Sequence, residues 1–197
     1  IGFLYFSWER TRIMHEKYDR DMIDLLRSIQ NIDYIEPDEI PNIDLYMDQI
    51  TTFMDDHLKS SKRFEDDKIL TKTMINNYAK NNLLPPPVKK KYSKEHVVVM
   101  IFIYYFKNFL PISDIQTILG PLTDKYFHKD TELNLESIYT TLFSKEDIFV
   151  HEILENVMAQ FHMSEDLFPD APKEDQESLR EFTFICMPVS YTHLRAH

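Results

Sequence analysis

Glycine is nearly missing from this chain of 197 residues: Gly2 and Gly120 are the two present. That excludes motifs needing several glycines together, namely the dinucleotide fingerprint, the phosphate-cradling loop and the nucleophile elbow. Cysteine is scarcer still. Cys186 alone cannot form an internal disulfide and leaves no cysteine cluster for zinc or iron–sulfur, so a reducing, cytoplasmic setting is expected. Long apolar runs are also lacking. The longest, Val97 to Phe106, is about half of what a helix needs to cross a bilayer, so it reads as a buried core helix and no membrane partner is expected. No signal-peptide pattern precedes the first polar helical segment.

What is present is ordinary in bulk and uneven in detail. The hydrophobic share is 43% and the charged share 28%, close to soluble globular averages, so composition names no special class. The length suits one domain, or a small domain with an accessory region. The formal net charge is −11. Met14 is the first methionine, and a helical pattern starts there, so residues 1–13 are expected to be a non-native leader. The tail Val189-Ser190-Tyr191-Thr192-His193-Leu194-Arg195-Ala196-His197 resembles a translated sequencing-adaptor remnant, and residues 188–197 are expected to be an artefact.

Periodicity predicts helices nearly throughout. His15 to Gln30 has Met22, Ile23, Leu25, Leu26 and Ile29 at helical spacing, giving an N-terminal helix within residues 14–36. Pro37 and Pro41 break the chain. Asp44 is expected to cap an amphipathic helix carrying Leu45, Ile50, Phe53, Met54 and Leu58, and Lys59 to Lys68 is a charged connector. Thr71 caps a short helix through Asn81, which Pro85, Pro86 and Pro87 forbid from continuing. Ser93 caps the next, ending near Phe109. Another begins at Ser113 and is expected to stop at Gly120-Pro121. A long helical pattern runs from Leu135 to Phe161, and Asp175 to Met187 gives one more. Val97-Val98-Val99 suits a strand in isolation, but Ser93 to Phe109 is too long for one.

Charge is segregated. From Lys68 to Lys94 there are lysines at 68, 72, 80, 89, 90, 91 and 94 and no acid, inside an otherwise acidic chain. This is the footprint of a protein that meets a polyanion in one place; a solvated basic face is the plainer alternative. At about 100° per residue, Lys72, Thr73, Asn76, Asn77 and Lys80 fall within about 140° of one another, opposite Met74, Ile75, Tyr78 and Ala79. Those polar types suit a major groove. Asparagine can hold adenine bidentately, lysine can meet guanine or phosphate, and the threonine methyl can touch thymine.

The run Leu70-Thr71-Lys72-Thr73-Met74-Ile75-Asn76-Asn77-Tyr78-Ala79-Lys80-Asn81-Asn82-Leu83-Leu84-Pro85-Pro86, followed by Lys90-Lys91-Tyr92-Ser93, resembles the winged helix-turn-helix of the mercury-resistance-regulator (MerR) family. That family has a valine-serine helix start, a tyrosine near the end of the recognition helix, Leu-Leu-x-Pro, a basic wing and Tyr-Ser opening a third helix. Its fourth helix is echoed by Leu110 to Leu119. Asn76 stands where those proteins usually carry arginine. Asn82 replaces their usual glycine, a mild change because asparagine tolerates a left-handed backbone. The connector Lys59 to Lys68 is longer than the tight turn of an ordinary helix-turn-helix. From Asp44 through Leu119 the chain also resembles members of a bacterial family, domain of unknown function 1836, for which no settled activity is implied.

The expected fold is therefore all-α: a MerR-like winged helix-turn-helix domain at 37–122, then an acidic helical region at 123–187 for dimerisation or regulation. The resemblance implies sequence-specific binding of double-stranded DNA in transcriptional control. Lys72, Thr73, Asn76, Asn77 and Lys80 would line the groove; Lys89, Lys90, Lys91 and Tyr92 would grip phosphate and sugar. A homodimer through the long helix is the corresponding partner expectation, with Leu142, Phe149, Ile153, Val157 and Phe161 as its apolar spacing. The alternative is a helical interaction module whose lysine patch docks an acidic protein. His151, Glu152 and Glu155 lack the second histidine of a zinc helix and read as a solvated face. Neither catalysis, nor a metal, nor a cofactor is expected.

Overall fold

The computed structural model describes residues 34–62, 66–108, 110–165 and 167–195. The expected leader and the helix His15–Gln30 lie outside the described residues. The elements in order are β1 Leu45–Tyr46, α1 Met47–Leu58, a 3-10 turn Lys59–Ser61, α2 Lys72–Lys80, β2 Lys91–Tyr92, α3 Lys94–Phe106, α4 Ile112–Tyr126, α5 Leu135–Phe143, α6 Glu146–Glu165 and α7 Lys173–Arg195. The chain is mostly helical; among the described residues the sheet consists of β1 and β2, antiparallel, with Leu45 opposite Tyr92 and Tyr46 opposite Lys91.

The chain divides into two compact units, one within residues 31–145 and one holding α6 and α7. At the centre of the first is α3. Every residue from Glu95 to Tyr104 is buried, as a helix apolar on all sides requires. The β-branched run Val97–Val99 is helical because it lies inside the stretch from Glu95 to Tyr104 that is buried on every side, which outweighs a weak strand preference. Ile50, Met54 and Leu58 of α1, Ile75 of α2, Ile115 and Leu119 of α4, and Tyr139 of α5 complete this core. Each fully buried aliphatic side chain contributes about 1.5–3 kcal/mol.

Polar groups inside this core are paired. The Ile35 carbonyl accepts the Tyr139 hydroxyl at 2.5 Å, and the Ile35 N–H donates to the Tyr105 hydroxyl at 3.2 Å. Burial pushes the Tyr139 phenol far above its usual range. Lys107 Nζ donates to the Ile69 carbonyl at 2.8 Å, and burial lowers its pKa. In the second unit, Phe161 is buried against Leu154, Val157, Met158 and Phe184, with the Arg180 guanidinium 5.1 Å from its ring centroid.

Several boundaries differ from expectation. The N-cap of α1 is Tyr46, not Asp44, because β1 is paired before the helix begins; Gln49 Oε1 accepts the Tyr46 N–H at 2.8 Å. Helix α3 ends at Phe106 rather than near Phe109. Helix α4 begins at Ile112, one residue before Ser113, and runs through Gly120-Pro121 to Tyr126. Leu122 and Tyr126 pack on the core beyond the proline, and the Thr123 hydroxyl donates to the Leu119 and Gly120 carbonyls at 3.1 and 2.9 Å. The pattern from Leu135 to Phe161 is two helices. Thr140, Thr141 and Ser144 turn their hydroxyls onto the carbonyls of Glu136, Ser137 and Thr141, local bonds that compete with the regular helical ladder at this break. The final helix starts at Lys173 and ends at Arg195, longer at both ends than Asp175–Met187.

The bond between Tyr139 and Ile35 is testable. Tyr139→Phe keeps the ring and leaves a buried carbonyl without its donor, so the unfolding free energy in urea should fall by about 1–3 kcal/mol. No change would show that the hydroxyl is not needed there.

Candidate nucleic-acid interface

Helix α2 begins where Thr71 Oγ1 accepts the Met74 N–H at 3.2 Å, the capping role its sequence position predicts. The helix buries Ile75 and Tyr78. Its opposite side carries Lys72, Thr73, Asn76, Asn77 and Lys80, all exposed. These five expected groove-lining residues thus share one open face. Lys72 differs from the others, because its ammonium pairs with the Asp48 carboxylate of α1. Both side chains are exposed, and such a pair contributes at most about 1 kcal/mol, so a phosphate can compete for the lysine.

The helix closes in a left-handed cap. Asn82 has φ 55°; its N–H donates to the Ala79 carbonyl at 3.2 Å and the Leu83 N–H to the Tyr78 carbonyl at 2.9 Å. That double bond pattern is a Schellman motif with asparagine where glycine is commonest. Gln116 of α4 braces the same end, its amide donating to the Asn81 carbonyl at 3.0 Å. Leu83 and Leu84 are buried, anchoring the chain before the three prolines lead it into the hairpin.

The hairpin tip is Val88 to Lys91, joined by reciprocal backbone bonds of 3.0 and 2.9 Å. Its two central residues, Lys89 and Lys90, have φ 50° and 64°. Two positive φ angles define the turn type that matches strand twist and that normally selects Asn-Gly. Each lysine there costs about 1–2 kcal/mol of left-handed strain. The sequence accepts that cost and gains two exposed cations at the tip.

His96 fastens the base of this hairpin. Its Nδ1 accepts from the Ser93 N–H at 3.0 Å and lies 2.8 Å from the Ser93 hydroxyl, while Nε2 lies 3.3 Å from the Pro86 carbonyl and donates to it. One neutral imidazole therefore ties the residue before the hairpin to the residue after it. Burial, with a smaller repulsion from His128, lowers its pKa to about 4 against a pull from the Pro86 carbonyl and Asp44. Beside it, the buried Glu95 carboxylate accepts the His128 N–H at 2.7 Å and lies 2.8 Å from His128 Nδ1.

Tyr92 corrects the expectation. Expected to grip phosphate and sugar, it is instead 3% exposed, its ring lies edge-on to His96 at 5.5 Å, and burial raises its pKa. It supports the hairpin from beneath. Tyr46, which carries no signal in the sequence, is 52% exposed beside the hairpin, with Lys91 Nζ 5.2 Å from its ring centroid. Only the pairing of β1 with β2 brings it there, and two-residue strands leave no periodic signal.

Elsewhere, His151 Nε2 lies 3.1 Å from Glu155 on the exposed side of α6. Among the described residues no group of three His, Cys, Asp or Glu side chains is placed to hold a metal ion, and no helix is long and apolar enough to cross a membrane.

Fold and site together define a mostly helical protein that presents a short polar helix and a lysine-tipped hairpin. The chain belongs to the family described as Domain of unknown function (DUF1836), which matches residues 35–142. No curated protein and no solved structure matches it.

Two outcomes follow from this geometry. Replacing Lys89→Asn and Lys90→Gly together should relieve part of the left-handed strain, since asparagine keeps some of it and glycine loses more chain entropy on folding, and raise the unfolding free energy by about 1–2 kcal/mol; a lower melting temperature would refute the turn assignment. For His96, the unfolded chain titrates near 6.5 and the folded one near 4, so the unfolded state binds more protons between those values. Its contribution is complete above about pH 6.5 and is lost as pH falls toward 4, by up to about 3 kcal/mol. Urea unfolding of the parent and His96→Gln at pH 7 and pH 4 checks this; an equal acid loss in both would remove the neutral-histidine account.

Proposed function

We propose that this protein binds double-stranded DNA with sequence preference, through a MerR-like winged helix-turn-helix, and acts in transcriptional control in the cytoplasm, without catalysis or cofactor. The observation that carries the reading is the joint exposure of two polar surfaces. Lys72, Thr73, Asn76, Asn77 and Lys80 share the open side of α2, and Lys89 and Lys90 project from a strained hairpin. A helix with such a face can enter a major groove, where asparagine and lysine discriminate base edges. The hairpin lysines then meet phosphate, which positions without specifying. The left-handed strain at Lys89 and Lys90 supports a role for their side chains, since strained non-glycine residues concentrate at functional sites.

A homodimer belongs to the same proposal. Phe149 and Ile153 are exposed on α6, at 54% and 43%, whereas Leu142 lies on α5 and Phe161 is buried within the helix pair. The expected stripe is therefore shorter than the sequence pattern implied. The second reading, an interaction module for an acidic protein, is favoured by one contact: Lys72 already receives a carboxylate, from Asp48.

A salt series separates the two. For DNA, Lys89→Gln, Lys90→Gln and Lys91→Gln together should flatten the log–log dependence of affinity on salt by up to about 2.7, at roughly 0.9 per phosphate, and weaken binding to every sequence alike. Replacing Asn76 and Asn77 by alanine should instead cost about 1–3 kcal/mol per real base contact on the preferred duplex and little on random DNA. Alanine is the best helix former, so α2 survives the change. An asparagine variant that discriminated sequences as well as the parent would end the recognition-helix assignment.

A further inference from the structure

The two short ladders share Lys91. It stands opposite Tyr46 in the β1–β2 pair and opposite Val88 across the hairpin tip. Residues directly opposite in an antiparallel pair put their side chains on the same face, and their strand neighbours point the other way. Leu45 and Tyr92, the next pair, are accordingly buried at 5% and 3%. Val88, Lys91 and Tyr46 therefore form one row on the outer face. Val88 is 61% exposed and Tyr46 52%, with the Lys91 ammonium above the tyrosine ring.

This row has a definite chemical character: an apolar end, an aromatic end and a cation between them, next to Lys89 and Lys90. Three side chains offer far less than the roughly 800 Å² that each partner contributes to an ordinary protein interface. The row is the right size for a sugar ring. A deoxyribose presents apolar C–H groups flanked by phosphates, matching Val88 and Tyr46 beside the lysines. Two acids lie close by. Asp48 is paired with Lys72, and Asp44 precedes the strand, so phosphates are favoured on the hairpin side and the sugar over Tyr46.

We propose that the outer face of the small sheet, formed by Val88, Lys91 and Tyr46, packs against the deoxyribose–phosphate backbone of duplex DNA, with Tyr46 as a sugar-contacting positioning residue. This rests on the DNA reading above and adds to it a contact that carries no charge. Its energetic signature therefore differs from that of the lysines. Removing Tyr46 lowers affinity without changing the number of counterions released, whereas removing Lys91 changes both.

The test uses the full chain and the duplex that the parent enriches from a random-sequence pool. Hydroxyl-radical cleavage reads deoxyribose accessibility. Tyr46→Ala should lose protection of a few sugars on one flank and bind at least about fivefold more weakly, a change of about 1 kcal/mol, at an unchanged salt slope. Tyr46→Phe should retain protection and affinity, and Lys91→Gln should lower the slope by about 0.9. Val88→Ser, at the tip and away from the core, provides the same footprint readout if Tyr46→Ala lowers the melting temperature. A parent that enriches no duplex would sink the DNA reading and this contact with it. A parent that binds, with Tyr46→Ala and Val88→Ser giving the parent's footprint and affinity, would overturn the contact alone. Loss of self-association in place of sugar protection would overturn it too, in favour of a second copy on that face.

Discussion

Everything in the first unit depends on the burial of α3. A helix apolar on all sides cannot lie on a surface, and α1, α2, α4 and α5 are held in place because each supplies a wall around it. The few polar groups at its N-terminal end do the rest. Ser93 and His96 pin the hairpin, and Glu95 pins the turn at His128. The most hydrophobic part of the chain thus fixes the position of the most basic part.

That arrangement separates rigidity from contact. The hairpin is short, and its shape is set from beneath by Tyr92, Leu45 and the neutral imidazole of His96. The lysines at its tip are then free to point outward at a backbone cost. Helix α2 follows the same division: Ile75 and Tyr78 face the core, the Asn82 cap and Gln116 fix its end, and its other side is left to polar residues. In the DNA-binding reading proposed above, a surface built this way would need little reordering on meeting the duplex, which would lower the entropic cost of association.

The two units also differ in kind. The first has a core drawn from seven elements. Among the described residues, the helix pair α6 and α7 buries Phe161 and leaves Ile148, Phe149, Ile153 and Phe182 more than 40% exposed. Membership of the family accounts for the first unit and does not extend to this pair, because the match ends at residue 142.

Local features were legible in the sequence because their causes are local. The caps at Thr71 and Ser93, the two-sided character of α2, the buried run at Val97–Tyr104 and the left-handed Asn82 each follow from residues within a turn or two of one another. What only the tertiary structure decided involves partners distant in sequence. The pairing of Leu45–Tyr46 with Lys91–Tyr92 moved the start of α1, turned Tyr92 inward and brought Tyr46 to the surface beside Lys91. Packing of Leu122 and Tyr126 carried α4 through Pro121. Helical periodicity continued across Ser144, but α5 ends at Phe143 and a separate helix begins at Glu146. A periodic pattern records which residues are apolar, and the fold decides which of them find a surface to cover.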